Sequence, residues 1–288
     1  MSGGEFMRRV LIVFLVLFNL IIANEKKYYH FEGKLQDKNK VIMDLNIYDT
    51  NSVTAFVKIG SVVEEYTGKL DKGILDFKSN GKQFKGKIED GIFLGKFIRG
   101  QSTQKISFEE KVDETIFEYS EISNLNLLPY YKEEAFEVKE EDYAYTEEYV
   151  NSSAIMYNNK KFLQVEEFFY EYTGGAHGIY GYSHKIYDKE TGNDITKEFF
   201  QENLDDKLQK EIHNFLLKKA KIQGLGIFDD AIFYLGDFYM TDTGFYFVYN
   251  VYDIGSYAAG VQKVYVPFKE FPKKFLKKNE ITKRIIEF

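Results

Sequence analysis

Residues 66–97 read YTGKLDKGILDFKSNGKQFKGKIEDGIFLGKF. Short apolar and aromatic runs are cut by Asp71-Lys72-Gly73, Asn80-Gly81 and Asp90-Gly91. Asn-Gly and Asp-Gly supply the positive φ angles of two-residue hairpin turns, so the stretch reads as consecutive antiparallel strands. A small unit of the form aromatic-x-Gly-Lys-aliphatic recurs around it, as Phe31 to Leu35, Tyr66 to Leu70 and Phe84 to Ile88. Its steps of 35 and 18 residues are too unequal for a solenoid repeat. Glycine inside a strand marks a bend or a bulge. Residues 25 to about 110 are therefore expected to form an all-β antiparallel meander, curled into a sheet or a small barrel.

Upstream, Met7-Arg8-Arg9 precedes Val10 to Ala23, which is apolar except for Asn19. A positive start, a short apolar run and a terminal small residue are the marks of a secretory signal peptide. A membrane span needs ~20 apolar residues. Cleavage after Ala23 is the expectation, with a retained anchor as the alternative because Ile21 is large for its place. Met1 to Phe6 reads as a cloning remnant or a misplaced start.

Downstream, residues 111 to 148 are more acidic. Glu133-Glu134, Glu137 and Glu140-Glu141-Asp142 suit either a solvated linker or a first strand of the next unit, since Val112 to Leu128 still alternates. Strands are expected at Tyr149 to Tyr157, Phe162 to Tyr172, Tyr180 to Tyr187, Ala231 to Met240, Phe245 to Val251 and Val261 to Phe268. One clear helix is expected from about Leu204 to Lys221. Leu204, Leu208, Ile212 and Phe215 share its apolar face, Asn203 can cap it, and Gly224 and Gly226 end it. The expected organisation is a signal peptide over 1–23, an N-terminal β-meander domain over 24–110, and an α+β C-terminal domain over 111–288.

The chain has 288 residues, no Cys and a net charge of −7. Absence of Cys excludes disulfides, thiolate catalysis and Cys-held metals. The acidic balance argues against nucleic acid, which needs a basic footprint, and mildly favours cationic partners. The 27 Phe and 23 Tyr suit half-buried strands or a sticky face for glycans or proteins.

Two loops stand out as ligand-binding candidates. Thr173, Gly174, Gly175, His177 and Gly178 belong to a glycine-rich connection around one His, the kind of loop that brings backbone N–H groups to a ligand. Tyr252, Asp253, Tyr257 and Gly260 belong to a Tyr-containing loop expected after a strand. Asp253 is expected near His177 if the two loops share a site. The bland reading makes both loops tight connections packed by tyrosine rings. His177 and His184 lie seven apart and form no metal pair, and no nucleophile elbow or phosphate loop occurs. No catalytic set, metal or cofactor is expected.

The string Thr173 to Gly178, the Tyr187 to Gly192 turn (YDKETG), the amphipathic helix, Asp242-Thr243-Gly244-Phe245 and Asn250 to Gly260 together resemble a bacterial family of unknown-function domains. That family occurs in the ectodomain of the anti-sigma factor RsiV and beside the catalytic domain of the peptidoglycan deacetylase PdaC. The resemblance spans roughly residues 145 to 272. It departs at Val251, where the family usually has Pro, and at Asp253, where it often has Glu. It implies an envelope-facing α+β domain, which in the anti-sigma case binds lysozyme. The leading expectation is an exported cell-envelope binding module, periplasmic or extracellular, for a cationic lysozyme-like protein or cell-wall glycan, with no membrane span after signal cleavage. One alternative is a hydrolase or esterase acting on envelope glycan with His177 as general base. Another is a structural envelope component.

Overall fold

A computed structural model describes residues 28–48, 50–60, 62–111, 130–140 and 143–286. The expected signal peptide and the whole of Val112 to Leu128 lie outside the described residues. Eight strands follow one another in the first part: β1 (Tyr28–Lys34), β2 (Lys40–Ile47), β3 (Ser52–Ile59), β4 (Val62–Asp71), β5 (Ile74–Ser79), β6 (Lys82–Glu89), β7 (Ile92–Arg99) and β8 (Ser102–Glu110). Each pairs antiparallel with its chain neighbour, and β1 pairs with β8 to close a barrel. The turn chemistry is as the sequence implies. Lys72-Gly73, Asn80-Gly81 and Asp90-Gly91 all take positive φ, between 43° and 77°.

Eight strands leave an interior just wide enough for side chains to fill. Phe31, Tyr66, Phe77, Phe84, Phe93 and Phe108 fill it, each fully buried. The recurring glycines sit where the wall is tightest. Gly86 lies directly opposite Gly95 on the next strand. A Cβ on Gly95 would stand 2.4 Å from the Lys85 carbonyl oxygen and 2.9 Å from Gly86 Cα.

The second part is α+β. A four-stranded antiparallel sheet has the order β12-β11-β10-β9, from β9 (Tyr130–Glu140), β10 (Tyr143–Asn158), β11 (Phe162–Tyr172) and β12 (Ile179–Asp188). The acidic stretch thus lies largely in strand β9. A three-stranded sheet joins β13 (Phe238–Met240), β14 (Gly244–Tyr249) and β15 (Gln262–Pro267). Helix α1 (Asp206–Ile222) buries Ile212, Leu216 and Ala220. Full burial of each Ile or Leu contributes about 1.5–3 kcal/mol. A short α2 (Glu280–Ile285), capped by Asn279, organises the Lys-rich tail.

Two expectations need correction. The N-cap of α1 is Asp205, whose side chain accepts the Leu208 N–H, whereas Asn203 sits in a left-handed turn at φ 55°. The strand expected over Ala231 to Met240 is reduced to Phe238–Met240. The residues before it satisfy their backbone elsewhere: Phe233 N–H donates to His213 Nδ1, and the Tyr234 carbonyl accepts the Tyr249 hydroxyl.

Side-chain amides close the seams between layers. Asn46, on the outer face of the barrel, is fully buried. Its Oδ1 accepts the Ile155 N–H at 2.9 Å and its Nδ2 donates to the Ile155 carbonyl at 3.0 Å. β9 is described only as far as Ser153 of β10, so among the described residues Ile155 has no strand partner on that side. Gln164 holds Met240 in the same two-bond way, Asn250 holds Tyr182, and Gln223 holds Tyr265. Tyr182, Met240 and Tyr265 lie on the outer strands of their sheets, whose unpaired backbone would otherwise be open to another chain.

Candidate functional site

Loop 173–178 joins β11 to β12. Gly174 and Gly175 both take φ 95°, where a Cβ is strained. Gly178 is required for space instead: a Cβ there would stand 2.5 Å from the Glu171 carbonyl oxygen. The Tyr172 hydroxyl donates to the Gly175 carbonyl at 2.9 Å and fastens the loop. Thr173 and His177 are exposed.

The second loop follows β14. The Asn250 N–H donates to the Asp253 carboxylate at 2.7 Å, and the Asp253 N–H returns to the Asn250 carbonyl at 3.0 Å. Tyr252 projects from this turn at φ 71° and is 49% exposed. Tyr257 opens a single turn of 3-10 helix that ends at Gly260, φ 69°.

The two loops meet. The His177 ring stacks on Tyr257 with centroids 3.9 Å apart. His177 Nδ1 is 3.0 Å from the Gly178 carbonyl, and Nε2 is 3.2 Å from the Tyr252 hydroxyl. One tautomer satisfies both contacts, with Nδ1–H donating to the carbonyl and Nε2 accepting from Tyr252. Tyr180 meets Tyr257 edge-on at 5.7 Å, and Phe168 bridges towards Tyr182 at 5.3 Å. The Lys263 ammonium then lies over the Tyr182 and Tyr239 rings. A row of rings thus leads from exposed Tyr252 inward to Lys263.

Asp253 does not join His177, because its carboxylate is turned onto its own loop. Among the described residues no carboxylate hydrogen-bonds to His177, and both ring nitrogens are occupied. The arrangement offers an aromatic contact surface and no acid–base pair. No group of His, Asp and Glu among the described residues could hold a metal ion.

A second constellation lies deeper and was not singled out from sequence. Glu166 on β11 faces His184 on β12. His184 Nδ1 is 2.5 Å from Asp237 Oδ2, and Nε2 is 3.2 Å from Glu166 Oε2. Asp237 also accepts the His184 N–H at 2.9 Å. Burial pulls the His184 pKa down, but the bonds to Asp237 and Glu166 outweigh it and raise it above the ordinary value. Burial pushes Glu166 up, yet the His184 bond and the Lys263 charge hold it below the ordinary value. Glu65 of the barrel is pushed up to about 7, first by burial and then by the Glu166 carboxylate. The His184 side chain is 0% exposed, so this cluster braces the junction of barrel and sheets and does not present a proton donor to solvent. Its members are scattered over β4, β11, β12, a loop and β15. Only strand register brings them together, and no local motif announces it.

Residues 190–269 match the model of a family described as proteins of unknown function, DUF3298. That range takes in the Tyr252 to Gly260 loop and stops short of the glycine-rich loop. Two solved structures from the same family are similar to the chain. One, from Bacteroides fragilis NCTC 9343, shares 23% identity with a TM-score of 0.39, covering 60% of this chain and 65% of that one. The other, from Pseudomonas aeruginosa PAO1, shares 14% identity with a TM-score of 0.32, covering 59% of this chain and 72% of that one. The chain thus spans less than two thirds of the Bacteroides protein. A search of curated proteins found no match.

Proposed function

We propose that the chain is an exported binding module of the bacterial cell envelope, and that its paired loops receive a cationic protein of the lysozyme kind. The observation that carries the reading is the convergence of the two loops on one exposed aromatic surface, His177 on Tyr257 with Tyr252 beside them. Tyrosine is the residue type that anchors protein interfaces, because a large rigid ring gains contact area at little entropic cost. Acidic residues adjoin both loops in the chain: Asp253 follows Tyr252, and Glu171, with Glu148 near it on β10, lies at the end of the β10–β11 ladder from which the glycine-rich loop springs. Such acidity speeds encounter with a basic partner and rejects acidic ones. The resemblance of residues 145 to 272 to the RsiV ectodomain points the same way, and the signal-like pattern of Met7 to Ala23 supports export.

The test is retention of a cationic muramidase, and separately of purified peptidoglycan, by residues 24–288 at moderate salt. Muramidase retention that falls at least tenfold in Tyr257→Ala and His177→Ala, at unchanged melting temperature, is expected. Retention of peptidoglycan alone would replace the protein ligand by a glycan. Retention of neither, or retention indifferent to both substitutions, would sink the proposal.

A further inference from the structure

The barrel interior is apolar through its middle and changes character at one end. Strand alternation carries the inward row of β4 from Tyr66 to Glu64, of β6 from Phe84 to Lys82, and of β7 from Phe97 to Arg99. These polar residues border a cavity of about 400 Å³ whose apolar wall includes Leu35, Val57, Ile59 and Phe97. That volume lies in the range of small-molecule sites, which favour the mouths of β-barrels.

The charges at the mouth are not all spent. Glu64 takes Lys82 on both oxygens, at 2.6 and 2.7 Å, and also accepts the Tyr66 hydroxyl at 3.0 Å. Asp37 at the rim turns both oxygens to Asn39. Arg99 pairs with Lys82 only in strand register, cation opposite cation. Among the described residues Arg99 has no ion pair. An unspent guanidinium beside an apolar wall is the arrangement that recognises an anionic headgroup with its alkyl body alongside.

We propose that the open end of the barrel binds a small anionic amphiphile, with Arg99 on the headgroup and the Val57, Ile59 and Phe97 wall on the chain. At the ~30 Å³ a water molecule occupies in the liquid, the cavity takes roughly a dozen non-hydrogen atoms, the size of a medium-chain fatty acid. This site is independent of the loop surface proposed above.

Isothermal titration calorimetry on the full chain with decanoate, decyl phosphate, decanol and decylammonium tests it, all below their micellar concentrations. One-to-one binding of decanoate or decyl phosphate is expected, at least tenfold tighter than decanol, with no binding of decylammonium. Which anion binds tighter identifies the headgroup as carboxylate or phosphate. Arg99→Gln, at an exposed position, should weaken the anions at least tenfold and leave decanol unchanged. No saturable binding of either anion overturns the proposal, as does equal binding by decanol or by the Arg99→Gln variant.

Discussion

Replacing Asn46 by Ala removes one side-chain amide from the seam between barrel and sheet. Asn46 and Ile155 are both fully buried, so water has no ready path to the groups left behind. The Ile155 N–H loses its bond at 2.9 Å and the Ile155 carbonyl loses its bond at 3.0 Å. A buried polar group left unpaired costs about 1–3 kcal/mol, so two of them cost about 4 kcal/mol together. The Thr54 carbonyl also loses a contact at 3.3 Å, which is too long to add much. For a chain of this size, with a shift of about 2–4 °C per kcal/mol, the melting temperature should fall by roughly 8–16 °C. Asn46→Asp should cost at least as much, because it keeps the acceptor for Ile155 N–H but sets a buried carboxylate against two carbonyls. Urea titration followed by circular dichroism measures both. A loss below about 1 kcal/mol for Asn46→Ala, with an unchanged denaturant slope, would refute the reasoning and mean that water or a backbone shift replaces the amide.

Stability should fall as pH rises through about 7, because Glu65 is protonated in the folded state up to that value and ionises near 4.5 when unfolded. This contribution, at most a few kcal/mol, is fully present below pH 4.5 and lost as the pH rises to 7 and above. Glu65→Gln should flatten that fall; melting curves between pH 5 and 8 that keep the wild-type slope would contradict it. Gly95→Ala should cost at least about 1–3 kcal/mol, since its Cβ would press on the β6 backbone; a variant as stable as the parent in urea would show that the barrel wall yields. Gly175→Val should lower stability by about 1–3 kcal/mol through its φ of 95°, whereas His177→Ala at an exposed position should barely move it. Equal melting temperatures for the two variants would remove the strain argument.

What the sequence disclosed, it disclosed locally. Asn80-Gly81 and Asp90-Gly91 announce their turns because two adjacent residues fix the backbone by themselves. The recurring glycines point to a curled meander because a missing Cβ is needed where strands press together. The meeting of His177 with Tyr252 and Tyr257 was half legible: both loops were conspicuous, but the partner expected for His177 was Asp253, and that carboxylate serves its own turn. Ala231 to Leu235 alternates like a strand yet never pairs, since His213 and Tyr249 supply the backbone contacts that a ladder would have made. Glu166, His184, Asp237 and Glu65 were illegible for a related reason. Each is an ordinary polar residue until register places it beside the others.

The four amide seams also bear on the order in which the molecule assembles. Every barrel strand finds its partner one hairpin away, so most of that domain needs only short loop closures, with the β1–β8 pairing as its one distant contact. The amides join residues 42, 68, 76 and 109 positions apart. Contacts so far apart in the chain carry the largest closure entropy and are expected to form after the hairpins. Interactions made after the barrier hold the folded state kinetically without hastening its formation. In stopped-flow experiments Asn46→Ala and Gln164→Ala should therefore accelerate unfolding several-fold and leave the refolding rate nearly untouched, which would make these amides latches on a structure already built.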